Sequence, residues 1–397
     1  MMQSTDFWQN FVNKQVTFRF MRQTLRFNLS QSLFGSGDVE VGSQLLLRTI
    51  AQEVDLTAVS SVLDIGCGVG VLGLSLKKAS PAIRLTAQDR DALALVFTAQ
   101  NASLNDVDVA VQGGLALQHA AGQTYDLIVS HLPGRVGEPV LQHILRQIPA
   151  HLSSAGLAAV VIMKPLAELA AVTLAEMGSE VVYHEAASGY EVFHFRGGNL
   201  TPRRGEAEGE LTAYARHVAP FKLGDRAVEL VTAWNVPEFD SLSHETALAL
   251  NALKKGGVQG RVLFWNPGQG HVPVFLREQA AEFVLAGRDA LSLQIAAHNL
   301  RRQGVAETAV SCQHLPHFRE TTGKYDWIIL FPDVDAGVAW ENVLLPQALT
   351  LLPPGGKLLM VAKSAYAHRL LQKKRGFQSK FDRKRDGCRA VILSVSG

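Results

Sequence analysis

The nine residues VLDIGCGVG at 62–70 return at 262–270 as VLFWNPGQG, and this recurrence restricts the fold more than any other feature of the chain. Each copy opens on an apolar run of strand length and closes on glycines, the pattern of a strand that turns sharply into a helix. Two further landmarks keep nearly the same spacing. Asp89-Arg90-Asp91-Ala92-Leu93 meets Gly287-Arg288-Asp289-Ala290-Leu291, and Tyr125-Asp126 meets Tyr325-Asp326. A chain of 397 residues with such a period reads as two tandem copies of one domain, each with its own core.

The first copy carries chemistry that the second lacks. Asp64 stands at the end of its apolar run, just before Gly66, Cys67, Gly68 and Gly70. Alternating glycines let the backbone turn tightly and approach a ligand with no Cβ in the way. Amides at the following helix start face electron-rich ligand groups. Gly68, Gly70 and Gly73 also spell the G-x-G-x-x-G of dinucleotide-binding loops. Asp64 separates the two readings, because a carboxylate beside that loop repels phosphates and attracts a cationic ligand group. Cys67 has no assignable base and reads as a small space-filling residue. The next apolar run, 83–88, ends at Asp89, at the spacing where an acid meets ribose hydroxyls in Rossmann-like folds; one carboxylate accepts hydrogen bonds from both. In the second copy Phe264, Asn266 and Gly287 replace Asp64, Gly66 and Asp89, and Pro267 stiffens the turn.

The segment 62–74 resembles motif I of the class I S-adenosylmethionine-dependent methyltransferases, whose glycine loop wraps the methionine part of the cofactor. Upstream, LFGSGDVEVGSQLLLRTI at 33–50 reads as a turn at Gly35, Gly37 and Asp38, then a helix capped by Ser43 with Leu45, Leu46 and Ile50 on its apolar face. It is similar to the loop and helix that close over the cofactor in ribosomal RNA guanine-N2 methyltransferases. The resemblance implies S-adenosylmethionine as cofactor. Gly42, Ser43 and Gln44 would line its pocket. Asp64, Gly66, Cys67, Gly68 and Gly70 would hold the methionine part, and Asp89 with Arg90 the ribose. Gly113 and Ser130 complete the set; the family often places an acid where this chain has Gln112, Gly113 and Gly114.

The acceptor side departs from the family. After the apolar run 125–130 come Ser130, His131, Leu132, Pro133, Gly134 and Arg135. Amino-group methyltransferases carry Asn-Pro-Pro-aromatic or Asp-Pro-Pro-aromatic there. Here His131 stands in the Asn position, Gly134 in the aromatic position, and only the second proline remains. His131, with Pro133 beside it, is the catalytic candidate: a histidine titrating near neutrality takes a proton or a hydrogen bond. The alternative is a satisfied histidine at a loop start. Arg135 either meets an anionic substrate or is solvated. The end of the chain concentrates Lys373, Lys374, Arg375, Arg383, Lys384 and Arg385 around Phe377 and Phe381. Such a cluster attracts RNA phosphates, or else is a solvated helix end and hairpin. Residues 1–30, mixed aromatic and basic, either cover the first domain or touch RNA.

The expected fold is α/β: two tandem Rossmann-like class I methyltransferase domains, mostly parallel seven-stranded sheets with helices on both faces, the second degenerate. The boundaries fall at 1–198 for the cofactor domain with its N-terminal arm, 199–209 for a glycine- and charge-rich linker, and 210–397 for the degenerate copy. In the ribosomal RNA guanine-N2 family the intact domain is usually the second; here it is the first. The net charge of +2 is too small to identify a nucleic-acid binder. Three distant cysteines form neither a disulfide framework nor a metal-ligand spacing, so no metal is expected and a reducing cytoplasm fits. No apolar run reaches the ~20 residues that span a bilayer. The resemblance therefore implies a cytoplasmic, monomeric methyltransferase acting on ribosomal RNA, its second domain assisting substrate binding. The altered strand-four motif keeps two alternatives open, a methyltransferase for a small molecule or protein and a non-catalytic cofactor-binding scaffold.

Overall fold

The computed structural model of the chain describes residues 4–33, 37–120, 122–198, 210–254 and 257–396; the linker expected at 199–209 and the turn residue Gly35 lie outside them. The chain forms two compact units, Met1–Tyr214 and Ala215–Gly397.

The first unit opens on an antiparallel hairpin of β1 (Lys14–Phe20) and β2 (Gln23–Leu29), followed by α1 (Val41–Glu53). The main sheet then alternates β3 (Ser61–Ile65), α2 (Val71–Ala79), β4 (Arg84–Asp89), α3 (Ala92–Leu104) and β5 (Ala110–Gly113). It continues with β6 (Tyr125–His131), α4 (Glu138–Gln147), β7 (Leu152–Met163) and α5 (Ala167–Glu176). An antiparallel pair, β8 (Glu180–Ala187) and β9 (Tyr190–Arg196), closes the sheet, and α6 (Glu210–Tyr214) ends the unit. The strand order is β5-β4-β3-β6-β7-β9-β8. β3 to β7 run parallel, and β9 returns against β7.

This order has a physical origin. β3 is buried along its whole length, as a central parallel strand covered on both faces must be, so its sequence reads as a continuous apolar run rather than an alternation. The order reverses between β3 and β6, so a crevice opens at their carboxyl ends, the place where open α/β sheets bind ligands. The N-terminal residues cover the core: Phe7, Phe11, Phe20, Leu25, Phe27 and Leu29 are buried, and Trp8 meets Phe97 of α3 edge-on at 5.6 Å.

The second unit repeats the plan. A hairpin of β10 (Ala215–Leu223) and β11 (Arg226–Ala233) leads to α7 (His244–Leu253), β12 (Arg261–Trp265), α8 (His271–Phe275), β13 (Glu282–Gly287), α9 (Ala290–Arg302) and β14 (Val310–His314). After these come β15 (Trp327–Leu330), α10 (Leu344–Leu351), β16 (Lys357–Lys363), α11 (Ser364–Leu371), β17 (Phe377–Arg385) and β18 (Cys388–Val395). The sheet order, β14-β13-β12-β15-β16-β18-β17, matches the first strand for strand. Among the described residues no helix is long and apolar enough to cross a membrane.

Candidate functional site

The bend after β3 gathers most of the expected ligand-binding residues of the first unit. Gly66, Gly68 and Gly70 all sit at positive φ, +71°, +57° and +90°, where an L side chain is strained. A Cβ on Gly66 or Gly68 would meet nothing within 4 Å, so both face open space. Gly73 is required for a different reason: a Cβ there would lie 2.8 Å from Leu85 and 3.0 Å from the Asp64 carboxylate. Its amide instead donates to Asp64 Oδ2 at 2.8 Å. Asp64 is 1% exposed, and its Oδ1 is buried with no hydrogen-bond partner among the described residues. Burial pushes this carboxyl up to about 7, opposed by the Gly73 amide and helped by nearby Asp89.

A buried acceptor without a donor is costly, and this one lies beside an open glycine bend. The arrangement fits a ligand that brings a donor, above all a cationic one.

Asp89 closes the bend from β4. Its Oδ2 accepts the Gly68 amide at 2.9 Å and its Oδ1 the Asp91 amide at 2.9 Å. Each oxygen keeps a second lone pair for a ligand hydroxyl. Burial pushes Asp89 up to about 6, while the Arg90 guanidinium pulls the other way. Gly113 pairs with Asp89 across the β4–β5 ladder, and the Gly114 amide donates to the Asp89 carbonyl at 3.1 Å. Cys67 is buried, its thiol raised well above the ordinary value, and it accepts a hydrogen bond from Thr98 at 3.3 Å. It is not a poised nucleophile.

The rim on β6 is built differently from expectation. Ser130 is buried and donates to the Ile65 carbonyl at 2.8 Å, tying β6 to β3 at the crevice. His131 Nδ1 lies 3.0 Å from the Ser43 hydroxyl, and its ring meets Tyr190 edge-on at 5.5 Å. Ser43 is not the cap of α1. The helix begins at Val41 with Glu40 in the cap position and no side-chain cap bond, so Ser43 lies inside the first turn and its hydroxyl is turned to His131. Gly42 is where this contact is tightest, since a Cβ there would lie 2.8 Å from both the His131 and Tyr190 rings. Burial pushes His131 down to about 4 rather than leaving it near neutrality, so at neutral pH it is an uncharged hydrogen-bonding group.

Three expected residues have other surroundings. Gln44 is exposed, and its side-chain amide donates to the Val39 carbonyl at 2.8 Å, bracing the turn into α1. Pro133 and Arg135 are exposed in the loop between β6 and α4.

In the second unit the same backbone path survives without the ligand groups. Asn266, Gly268 and Gly270 have φ of +56°, +58° and +92°, close to the first bend. The space is filled by the protein itself. Asn266 donates to the Phe331 carbonyl at 3.0 Å and to Asp333 at 2.8 Å, and the Trp265 indole donates to Asp333 at 2.9 Å. A Cβ on Gly287, the counterpart of Asp89, would lie 3.0 Å from Asn266 Oδ1. Arg288 and Asp335, both largely buried, pair at 3.1 Å.

The basic residues near the chain end are exposed, with Arg383, Lys384 and Arg385 on the edge strand β17 and Lys373, Lys374 and Arg375 in the turn before it. Arg383 bonds Asn251 and Arg385 bonds Asp386. Charged side chains on an edge also prevent strand pairing between molecules.

The sequence reading missed the residues that hold each bend. Asn101 of α3 donates to the Val69 carbonyl at 2.9 Å and to the Asn28 carbonyl at 3.1 Å, and accepts the Asn28 amide at 2.8 Å. Asn299 of α9 does the same to Gln269 and Val231, at 2.9, 2.9 and 2.8 Å. Their matching places in the repeat were a usable signal. Tyr190 gave none, because its partner is distant in sequence.

Comparison with known proteins agrees with this geometry. The family profile of the methyltransferase small domain matches residues 24–194 and again 228–384. Ribosomal RNA small subunit methyltransferase C of Pasteurella multocida is 31% identical over 128 residues, 32% of this chain and 36% of that protein. The matched stretch thus spans little more than a third of that relative's own length. Uncharacterized protein YbxB of Bacillus subtilis is 29% identical over 185 residues, 45% of this chain and 90% of that protein. Among solved structures, a T. thermophilus 16S rRNA N2 methyltransferase (RsmC) in complex with AdoMet and guanosine superposes with a TM-score of 0.66. It shares 18% identity and covers 99% of this chain and 100% of that one, a likeness of fold over both units.

Proposed function

Because the chain belongs to the methyltransferase small domain family, we propose that its first unit binds S-adenosylmethionine and directs the cofactor's methyl group to ribosomal RNA. The observation that carries this reading is the buried, unpartnered Asp64 Oδ1 beside an open glycine bend. S-adenosylmethionine supplies an electrophilic sulfonium methyl. Asp64 and the bend from Gly66 to Gly70 hold its methionine part, and Asp89 orients the ribose. Ser130 keeps the β3 and β6 ends in register, so the acceptor meets a fixed rim. His131 stands on that rim as a neutral imidazole, and Pro133 shapes the loop after it. Arg135 and the basic residues of β17 and its preceding turn contact phosphates. The chain works as a monomer in the cytoplasm.

Labelled cofactor incubated with undermethylated ribosomal RNA, at several stages of subunit assembly, tests the proposal. Label should enter RNA; no transfer at any stage rejects the RNA acceptor. The missing Asn-Pro-Pro-aromatic motif favours one rival, a small-molecule or protein acceptor, and transfer to a metabolite or protein extract but not to RNA would select it. Calorimetry separates both from a scaffold: a pure scaffold gives no cofactor binding that depends on Asp64.

A further inference from the structure

The loop between β11 and α7 is the most strained segment of the second unit. Asn235, Glu238 and Phe239 all have positive φ, +58°, +77° and +30°, a conformation that non-glycine residues hold only when their surroundings over-determine it. The bend after β12 supplies the bracing. Gln269, fully buried, donates to the Pro237 carbonyl at 3.1 Å and the Phe239 carbonyl at 2.9 Å, and accepts the Ala233 amide at 2.8 Å. Glu238 adds two anchors, accepting the Ser243 amide at 2.7 Å and meeting His271 at 3.1 Å. Gln269 stands where the first unit has Val69, whose side chain has no polar group to make such a brace.

The braced loop holds an aromatic side chain outward. Phe239 is 48% exposed. The Arg216 guanidinium lies over its ring at 5.0 Å and over the Trp234 ring at 4.9 Å. Asp240 fixes that guanidinium at 3.0 Å and also takes a hydrogen bond from Thr232 at 3.2 Å. The result is a preordered surface stack of Trp234, Arg216 and Phe239, on the unit that also carries the exposed basic strand β17. Flat, cationic and aromatic, it matches an unpaired nucleobase, which stacks on aromatic rings and guanidinium planes; the basic strand matches the phosphates that accompany one.

We infer that Phe239, with Arg216 and Trp234 behind it, is a stacking platform for an unpaired base of the RNA substrate. The inference rests on the RNA reading above and adds a site to it: the second unit's bend, having lost its ligand groups, now braces a base-stacking surface.

Fluorescence anisotropy of a labelled ten-nucleotide single-stranded RNA with the full chain tests it. Phe239→Ala should weaken binding about tenfold with the salt dependence unchanged, since stacking releases no counterions. Phe239→Trp should restore binding, and blunt duplex RNA should not register the Phe239→Ala change. Melting temperature and cofactor binding of each variant check folding. Wild-type affinity in Phe239→Ala, or an equal loss for duplex RNA, overturns the platform and leaves the RNA reading standing. Absence of RNA binding by the wild-type chain overturns both.

Discussion

The two bends, 62–70 and 262–270, follow one backbone path and differ in what fills it. In the first, Gly66 and Gly68, at +71° and +57°, border open space, and a buried carboxylate oxygen of Asp64 has no partner among the described residues. In the second, Asn266, at +56°, stands in the matching place, bonded to Asp333 as Trp265 is, and a Cβ on Gly287 would lie 3.0 Å from Asn266 Oδ1. The fold therefore does not depend on the ligand groups. What maintains the path is the asparagine at 101 or 299, which both halves keep. The largest expected effect breaks the comparison where it is sharpest. Asp64→Ala should weaken S-adenosylmethionine binding about a hundredfold by calorimetry, the scale of a lost charge-assisted hydrogen bond. The reverse change, Phe264→Asp, should bring no binding, because it sets a carboxylate against Phe283, whose ring stacks on Phe264 at 6.0 Å. Cofactor binding gained by Phe264→Asp would mean that one residue, and not a filled cleft, separates the halves.

A smaller effect, equal in the two halves, tests what they share. Asn101→Ala and Asn299→Ala each strip a backbone amide and two carbonyls of their partners, costing about 2–3 kcal/mol apiece. Hydrogen exchange of the Asn28 and Val231 amides reads this locally. A much smaller loss of protection at Val231 would make the second half a loosened relic rather than a maintained domain.

Much of this comparison was legible in the sequence. A parallel strand buried on both faces is an uninterrupted apolar run, so β3, β6 and β12 declared themselves, and Asp91 and Asp289 each cap a helix with a side-chain bond. Asp64 and Asp89 stood out because a carboxylate next to a glycine bend attracts a cation or hydroxyls, and the structure sets both carboxylates against the amides of that bend and its helix starts. The rim was not. Ser43 looked like a cap because serine favours that position, yet the helix starts at Val41 and the hydroxyl reaches β6. The acidity of His131 follows from burial between α1 and β9, which no local pattern records. Gln269 carried no local signal, since its three side-chain bonds go to a loop thirty or more residues upstream.

Both halves hold a carboxyl raised by burial, and they differ in what is coupled to it. Asp64 titrates at about 7 in the folded chain, against an ordinary 3.8. A folded-state value raised above the unfolded one means that the native carboxyl holds its proton longer, so this contribution to stability is full below about pH 4 and is lost as pH climbs toward 7. Binding of a cation runs the opposite way, because it needs the ionised form. Cofactor affinity should fall about fivefold from pH 7 to pH 6, and Asp64→Asn should flatten the profile. Asp333, raised to about 6 by burial, gives the second half the same sign of stability change without a ligand to couple it. A cofactor profile flat between pH 6 and 7 in the wild type would remove Asp64 from the contact.

The smallest effect concerns the ends of β6 and β15. In the second half that end is locked, with both oxygens of Asp333 bonded and Tyr366 donating to its carbonyl at 2.8 Å. In the first, His131 meets the Ser43 hydroxyl at 3.0 Å and the edge of the Tyr190 ring. Ser43→Ala removes the hydroxyl and leaves Tyr190 in place, so the imidazole loses orientation but not its seat. A bond of this kind contributes about 1 kcal/mol, which predicts a fall in kcat of about fivefold with KM for the cofactor unchanged, and recovery in Ser43→Thr. A change in cofactor KM alone would move Ser43 from the rim to the cofactor pocket. An unchanged kcat would mean that the Ser43 hydroxyl does not aim His131, and that the first half's rim is as firmly set as the second's.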